Sequence, residues 1–309
     1  MKVVYMGTPQ FAISSLKKLH ESSHQVVAVV SGPDQPVGRG RKLASPAVKA
    51  LARELGYLVL QPPSLKDHPF QTQLKDLSAH LFVVVAFKIL PDSLLAIPPG
   101  GAVNLHPSLL PKYRGAAPLQ HCLLNGDSVT GVTTIALTHQ VDSGDILLQR
   151  EYTIDPQEDL GILASRMAQL GGDLVVETLD GLENQTITPH PQGELAVGEP
   201  ATAPKIVPAD QVIYWDRPAQ AIANQTRALT PRPGAYTHVD GKRLKLFNAT
   251  ATTGGGEPGV VVAVDRDQLV VGTGRGRLAV KELQLEGRRR MPVGEFLQGG
   301  NLEPGLLLG

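Results

Sequence analysis

Short apolar runs alternate with longer stretches of helical period through the first two-thirds of the chain. Residues 3–6, 25–30, 57–60, 81–86 and 101–105 are almost wholly apolar and read as strands buried on both faces. After the first run, Thr8-Pro9 offers a capping hydroxyl followed by Pro at the first helical position, and Phe11, Leu16 and Leu19 recur on one helix face. Ser45-Pro46 repeats that signal before Val48, Leu51 and Leu55, and Gly56 supplies the stop. Residues 132–137 and 146–154 read as a pair of strands that extend the sheet, and 159–182 as a long amphipathic helix that closes the domain. Buried strands separated by helices predict a nucleotide-binding-like α/β architecture with a mostly parallel sheet.

From residue 186 to 208 the pattern dissolves into Pro, Gly, Thr and Ala, which reads as a linker. A helical stretch at 219–228 follows. Beyond it, β-type runs at 236–239, 244–249, 259–264, 268–273 and 277–283 succeed one another across Gly-rich turns. Consecutive short strands without intervening helices predict a small barrel of the oligonucleotide-binding type. The expected division is a catalytic domain at 1–188, a linker at 189–206 and a second domain at 207–309. No internal repeat or long low-complexity tract is visible.

Composition adds little until the chain is divided. The 309 residues are 42% hydrophobic and 19% charged, as in a globular protein. Lys plus Arg and Asp plus Glu both number 29. Residues 1–206, however, hold 16 basic and 19 acidic side chains, and residues 207–309 hold 13 and 10. A basic second domain suits contact with a polyanion, although an imbalance of this size also arises by chance. Cys122 is the single cysteine, which excludes an intrachain disulfide and a cysteine metal cluster. No run reaches the roughly 18 apolar residues of a membrane span. The N-terminus reads as a first strand rather than a signal peptide, so a cytoplasmic location is expected.

Candidate chemistry gathers at the end of the 101–105 strand. Asn104 and His106 stand two apart, so an extended chain projects both to one face. The carboxyl edge of a parallel sheet is where such folds bind ligands. Taken alone, Asn-x-His is more often structural. Its company changes the reading: Pro107 and Pro111 stiffen the loop, and Asp142 lies in a second turn, Val141-Asp142-Ser143-Gly144-Asp145, that could close over it. An amide, an imidazole and a carboxylate in one cleft can hold an oxyanion and move a proton.

At Gly7-Thr8-Pro9-Gln10-Phe11-Ala12, proline stands where a dinucleotide-binding turn needs its second glycine, which argues against a nicotinamide or flavin site. Gly38-Arg39-Gly40-Arg41-Lys42 is a glycine-bearing loop with three cations and no acid between Asp34 and Glu54; it suits phosphates, or is an ordinary solvated loop. Lys112-Tyr113-Arg114 is a basic-aromatic turn suited to an anionic or ring-containing ligand, or a plain surface turn. Arg288-Arg289-Arg290 meets phosphates or faces water. His121 and His139 lack partners at metal-ligand spacing, so no metal site is expected.

These stretches carry a family resemblance. Met6-Gly7-Thr8-Pro9-Gln10-Phe11-Ala12, the segment from Pro33 to Leu43, Asn104-Leu105-His106-Pro107-Ser108-Leu109-Leu110-Pro111, Arg114-Gly115-Ala116-Ala117-Pro118 and Asp142-Ser143-Gly144-Asp145 resemble the methionyl-tRNA formyltransferase family. Ile213-Tyr214-Trp215 and Arg227-Ala228-Leu229-Thr230-Pro231-Arg232-Pro233-Gly234-Ala235 resemble its second domain, so the likeness spans nearly the whole chain. Two departures stand out. Gln10 replaces the family's usual Asp, and Phe87-Lys88-Ile89-Leu90-Pro91 is one residue shorter than the common form of a loop that helps hold the folate ring.

The resemblance implies a Rossmann-like formyltransferase domain followed by an OB-like tRNA-binding domain. It implies transfer of a formyl group from 10-formyltetrahydrofolate to the α-amino group of methionyl initiator tRNA, for translation initiation, by a monomer that needs no metal. Asn104, His106 and Asp142 would be catalytic. Ser108, Leu109, Leu110 and Pro111 would line the folate site, mainly with backbone groups. Arg39, Arg41, Lys42, Lys205 and Arg232 would meet tRNA. A formyltransferase acting on a nucleotide sugar or a purine precursor would keep the first three residues and have little use for the cationic loop. An RNA-binding module without chemistry would be expected to have lost one of them.

Overall fold

The computed structural model describes residues 1–37, 42–195, 199–299 and 302–309. The chain divides into two units. One comprises Met1–Pro118, Val129–Thr153 and Ala164–Thr202; the other comprises Leu119–Ser128, Ile154–Leu163 and Ala203–Gly309.

In the first unit seven strands make one sheet in the order Ile146–Thr153, Val129–Ala136, Ala102–His106, Leu81–Val85, Lys2–Gly7, Gln25–Val30, Val59–Leu60. The last five run parallel to one another. The pair expected to extend the sheet does so antiparallel. Val3, Val4, Tyr5 and Met6, and all five residues of Leu81–Val85, are buried. That two-sided burial is why these runs are continuous rather than alternating.

Helix signals were partly misplaced. A 3-10 turn at Gln10–Ala12 precedes the helix Ile13–Glu21, and the next helix is Ala47–Glu54. Pro9 and Pro46, not Thr8 and Ser45, occupy the cap positions, and no side-chain cap bond forms. The Thr8 hydroxyl instead accepts the Gly32 N–H at 3.2 Å, tying the first strand-to-helix turn to the end of the second strand. Gly56 at φ +77° ends its helix as expected. Helices at His68–Asp76 and Asp92–Leu95 are too short and polar to have carried a clear periodic signal.

In the second unit the helix Ala219–Ala228 falls where its pattern placed it. A curled antiparallel sheet follows in the order Tyr236–Val239, Lys242–Thr252, Arg277–Leu285, Leu269–Gly272, Val261–Val264. Trp215, Leu246, Val271, Val280 and Phe296 are among its buried core. Residues 306–309 run between the two outer strands: Val261 N donates to Leu306 O at 2.8 Å, Leu308 N to Gly259 O at 2.9 Å, and Gly309 N to His238 O at 3.1 Å. Among the described residues no helix is long and apolar enough to cross a membrane.

Candidate active site

The strand Ala102–His106 lies in the middle of the first sheet. Asn104 sits opposite Val84 on one neighbour and Ile135 on the other, and His106 opposite Thr133. Alternation puts Asn104 and His106 on one face and Leu105 on the other. There Gly171, within the helix Leu160–Glu183, packs on Leu105 so closely that a Cβ would lie 2.5 Å from Leu105 Cδ2. A helix seated this tightly fixes the strand that carries the site.

His106 is 4% exposed. Its Nε2 lies 2.9 Å from the Tyr113 carbonyl, which can only accept, so Nε2 carries a proton. Its Nδ1 lies 3.6 Å from Asp142 Oδ2, beyond direct hydrogen-bond reach. Asp142 Oδ2 accepts the Gly115 N–H at 3.0 Å, and among the described residues Oδ1 has no partner. The Asn104 side-chain amide, half-buried, also makes no hydrogen bond among the described residues. Two residues that frame the site hold left-handed backbone: Tyr113 at φ +64° and Asp142 at φ +50°. Such conformations in non-glycine residues cluster at sites whose surroundings over-determine them.

The Asp142 turn is held from several sides. A Cβ on Gly144 would lie 1.6 Å from the Ala136 carbonyl oxygen, so only glycine lets the turn rest on that strand. Ala136 N donates to Asp145 O at 3.0 Å. Opposite, Gln192 Nε2 donates to the carbonyls of Asp142 at 2.9 Å and Gly144 at 2.7 Å. Its Oε1 accepts Arg114 Nε at 2.9 Å and Nη2 at 2.7 Å. The sequence offered Arg114 only as part of a basic-aromatic turn suited to an anionic or ring-containing ligand, or a plain surface turn, and Gln192 not at all, because the segment around residue 192 reads only as a Pro- and Gly-bearing linker.

The remaining site candidates fall in different places. Ser108 and Leu110 are buried, and the backbone around them is engaged internally: Thr133 Oγ1 donates to Ser108 O at 2.6 Å and accepts Leu110 N–H at 3.2 Å, and Gln149 Nε2 donates to Leu110 O at 2.8 Å. Leu109 and Pro111 are half-buried. Nearby in sequence to the Asp142 turn, His139 joins Lys66, Lys88, Ile89 and Leu90 in lining a cavity of about 610 Å³. Gln10 is exposed.

Arg39 and Arg41 lie outside the described residues. Lys42 opens a short strand, Lys42–Ala44, that pairs antiparallel with Gln35–Val37. Next to this hairpin, the buried Lys49 ammonium grips both Asp34 carboxylate oxygens at 2.7 and 2.8 Å. That contact, with a bond from Gln61, holds the Asp34 carboxyl below its ordinary range. Lys205 and Arg232 belong to the second unit, both exposed and without a side-chain bond among the described residues. In the Arg288–Arg290 cluster, Arg289 pairs with Glu295, and Arg290 pairs with Glu282 while lying over Phe247. Among the described residues no group of three or more His, Cys, Asp or Glu could hold a metal ion.

Comparison with known proteins bears on both units. Residues 1–179 match the formyl transferase family and residues 205–301 the formyl transferase C-terminal domain. The methionyl-tRNA formyltransferase of Geobacter metallireducens is 45% identical over 310 aligned residues, covering 100% of this chain and 99% of that protein. That of Citrifermentans bemidjiense is 46% identical, covering 100% and 96%. Among solved structures, the N-formyltransferase of Helicobacter canadensis with folinic acid and dTDP-3-aminofucose shares the fold at TM-score 0.69 and 18% identity, covering 94% of this chain and all of that one. HypX of Aquifex aeolicus with tetrahydrofolic acid does so at TM-score 0.64 and 20% identity, covering 99% of this chain and 50% of that one. With near-half identity to these relatives from end to end, the chain belongs to the methionyl-tRNA formyltransferase family.

Proposed function

We propose that the protein transfers the formyl group of 10-formyltetrahydrofolate to the α-amino group of methionyl initiator tRNA, with Asn104, His106 and Asp142 as the catalytic residues. The observation that carries this reading is the meeting of an unengaged amide, an imidazole oriented by the Tyr113 carbonyl and a carboxylate with one open oxygen at one sheet edge. The acceptor follows from the full-length likeness to tRNA enzymes.

The α-amino group of an aminoacyl ester titrates below the usual value of about 8, so much of it is nucleophilic at neutral pH. Its nitrogen attacks the formyl carbon, and the carbonyl electrons move onto oxygen. Stabilising that oxyanion is the larger task, and Asn104 supplies one donor. His106 supplies the second only through Nδ1–H, because Nε2 is committed to Tyr113; the imidazolium is therefore the active form. Asp142 balances its charge across the 3.6 Å gap and receives the ammonium proton at its open oxygen, directly or through water. Collapse of the intermediate breaks the bond to N10, which takes up a proton, and releases tetrahydrofolate and formylmethionyl-tRNA.

A cavity of about 610 Å³ is large enough for a folate head group, and Lys66 and Lys88 at its wall suit the carboxylates of the folate tail. With their backbone engaged internally, Ser108, Leu109, Leu110 and Pro111 serve as a stiff wall beside His106 more than as a hydrogen-bonding surface. Arg39, Arg41, Lys42, Lys205 and Arg232 are read as tRNA contacts, within a plan of catalytic domain 1–188, linker 189–206 and tRNA-binding domain 207–309. The protein is taken to act as a cytoplasmic monomer. Purified protein should formylate methionyl initiator tRNA much faster than methionyl elongator tRNA. Equal rates on free methionine, or a preference for a nucleotide-linked amino sugar, would overturn the assignment of the acceptor.

A further inference from the structure

We infer that Gln192 is a positioning residue for the formyl transfer proposed above, acting on the Asp142 turn and on Arg114 at once. Gln192 is 3% exposed, although it opens a single-turn helix, Gln192–Leu195, in the Pro- and Gly-bearing stretch between the two matched domains. A glutamine amide has two acceptor sites and two donors. All four are used here: two guanidinium N–H groups fill the oxygen, and the two amide hydrogens go to the carbonyls of Asp142 and Gly144. The segment is also pinned next door, where His190 and Ile146 exchange a pair of backbone bonds at 2.9 Å.

The consequences reach the reacting groups through two routes. Asp142 holds a left-handed backbone, and bonds to its own carbonyl and to that of Gly144 fix the turn on both sides of Ser143. Arg114 is adjacent to Gly115, whose N–H fixes the Asp142 carboxylate. One amide therefore sets both the backbone and the side chain of Asp142. Glutamate could not replace it. A carboxylate would keep Arg114 but would set oxygen against two carbonyl oxygens, and it would cancel the guanidinium charge that glutamine leaves in place.

The test compares Gln192→Leu, Gln192→Glu, Asp142→Asn and the double variant Gln192→Leu/Asp142→Asn in steady-state formylation of methionyl initiator tRNA, with thermal melting as a check on folding. Gln192→Leu should lower kcat on the order of 10²-fold, as misplacement of a catalytic group does, with KM for 10-formyltetrahydrofolate little changed. Gln192→Glu should lose as much despite keeping the Arg114 contact, so it serves if the leucine variant does not fold. In the Asp142→Asn background, the Gln192→Leu change should cost less than about threefold more, because its effect runs through Asp142. Wild-type kcat in Gln192→Glu, or losses that multiply in the double variant, would overturn the inference. A wild-type protein that does not formylate the tRNA would instead overturn the functional reading on which it rests.

Discussion

At the scale of single residues, the candidate site combines polar groups held by internal partners with others left open. The Asn104 amide is left open while His106 Nε2 and Asp142 Oδ2 are spoken for. Replacing Asn104 by Ala should lower turnover roughly 10²–10³-fold, the usual effect of losing one oxyanion donor, while folate binding measured by fluorescence stays close to wild type. Asp34 is held in the same way, by a named partner. Its carboxyl titrates below the ordinary range chiefly because Lys49 bonds it, so it adds stability that is complete above about pH 4 and fades as pH falls through the lower folded value. In urea unfolding, the stability gap between wild type and Lys49→Met should therefore narrow as pH drops below about 4. Asn104, His106 and Asp142 were legible in the sequence as candidates because period-two spacing and a glycine turn are local signals. Gln192 and the Gly115 N–H were not, because hydrogen bonds between residues 27 to 78 positions apart leave no local pattern.

Elements were legible in proportion to their burial. Strands buried on both faces announced themselves as apolar runs, and the helix Ala219–Ala228 was bounded to the residue. Caps were the weak point: Thr8 offered local capping chemistry, but the Gly32 N–H competed for its hydroxyl and won. Closer to the chemistry, the packing of elements depends on missing side chains. Gly144→Ala would drive a methyl group into the Ala136 carbonyl, so the Asp142 turn must lift off its strand. Overpacking of this kind costs about 1–3 kcal/mol. The expected outcome is a modestly lower melting temperature with a disproportionate loss of kcat, measured on the same preparation.

For the whole molecule, the excess of positive charge in residues 207–309 matters only where it is free. Arg289 and Arg290 are matched by Glu295 and Glu282, whereas Arg232 is exposed and unpaired among the described residues. Plots of log affinity for tRNA against log salt should thus flatten by about one unit in Arg232→Ala and stay close to wild type in Arg289→Ala. The net charge of the full chain hid this, and the charge split at residue 206 revealed only its sign. One further property follows from residues 306–309, which bond Gly259 and Val261 on one side and His238 on the other. Without them, Val261 N–H and the carbonyls of Gly259 and His238 would lose their partners, and unpaired groups at a strand edge are a template for intermolecular pairing. A chain cut after Gly305 should accordingly self-associate, seen as growing light scattering at concentrations where the full chain stays clear. On that outcome, residues 306–309 would act as a guard against aggregation.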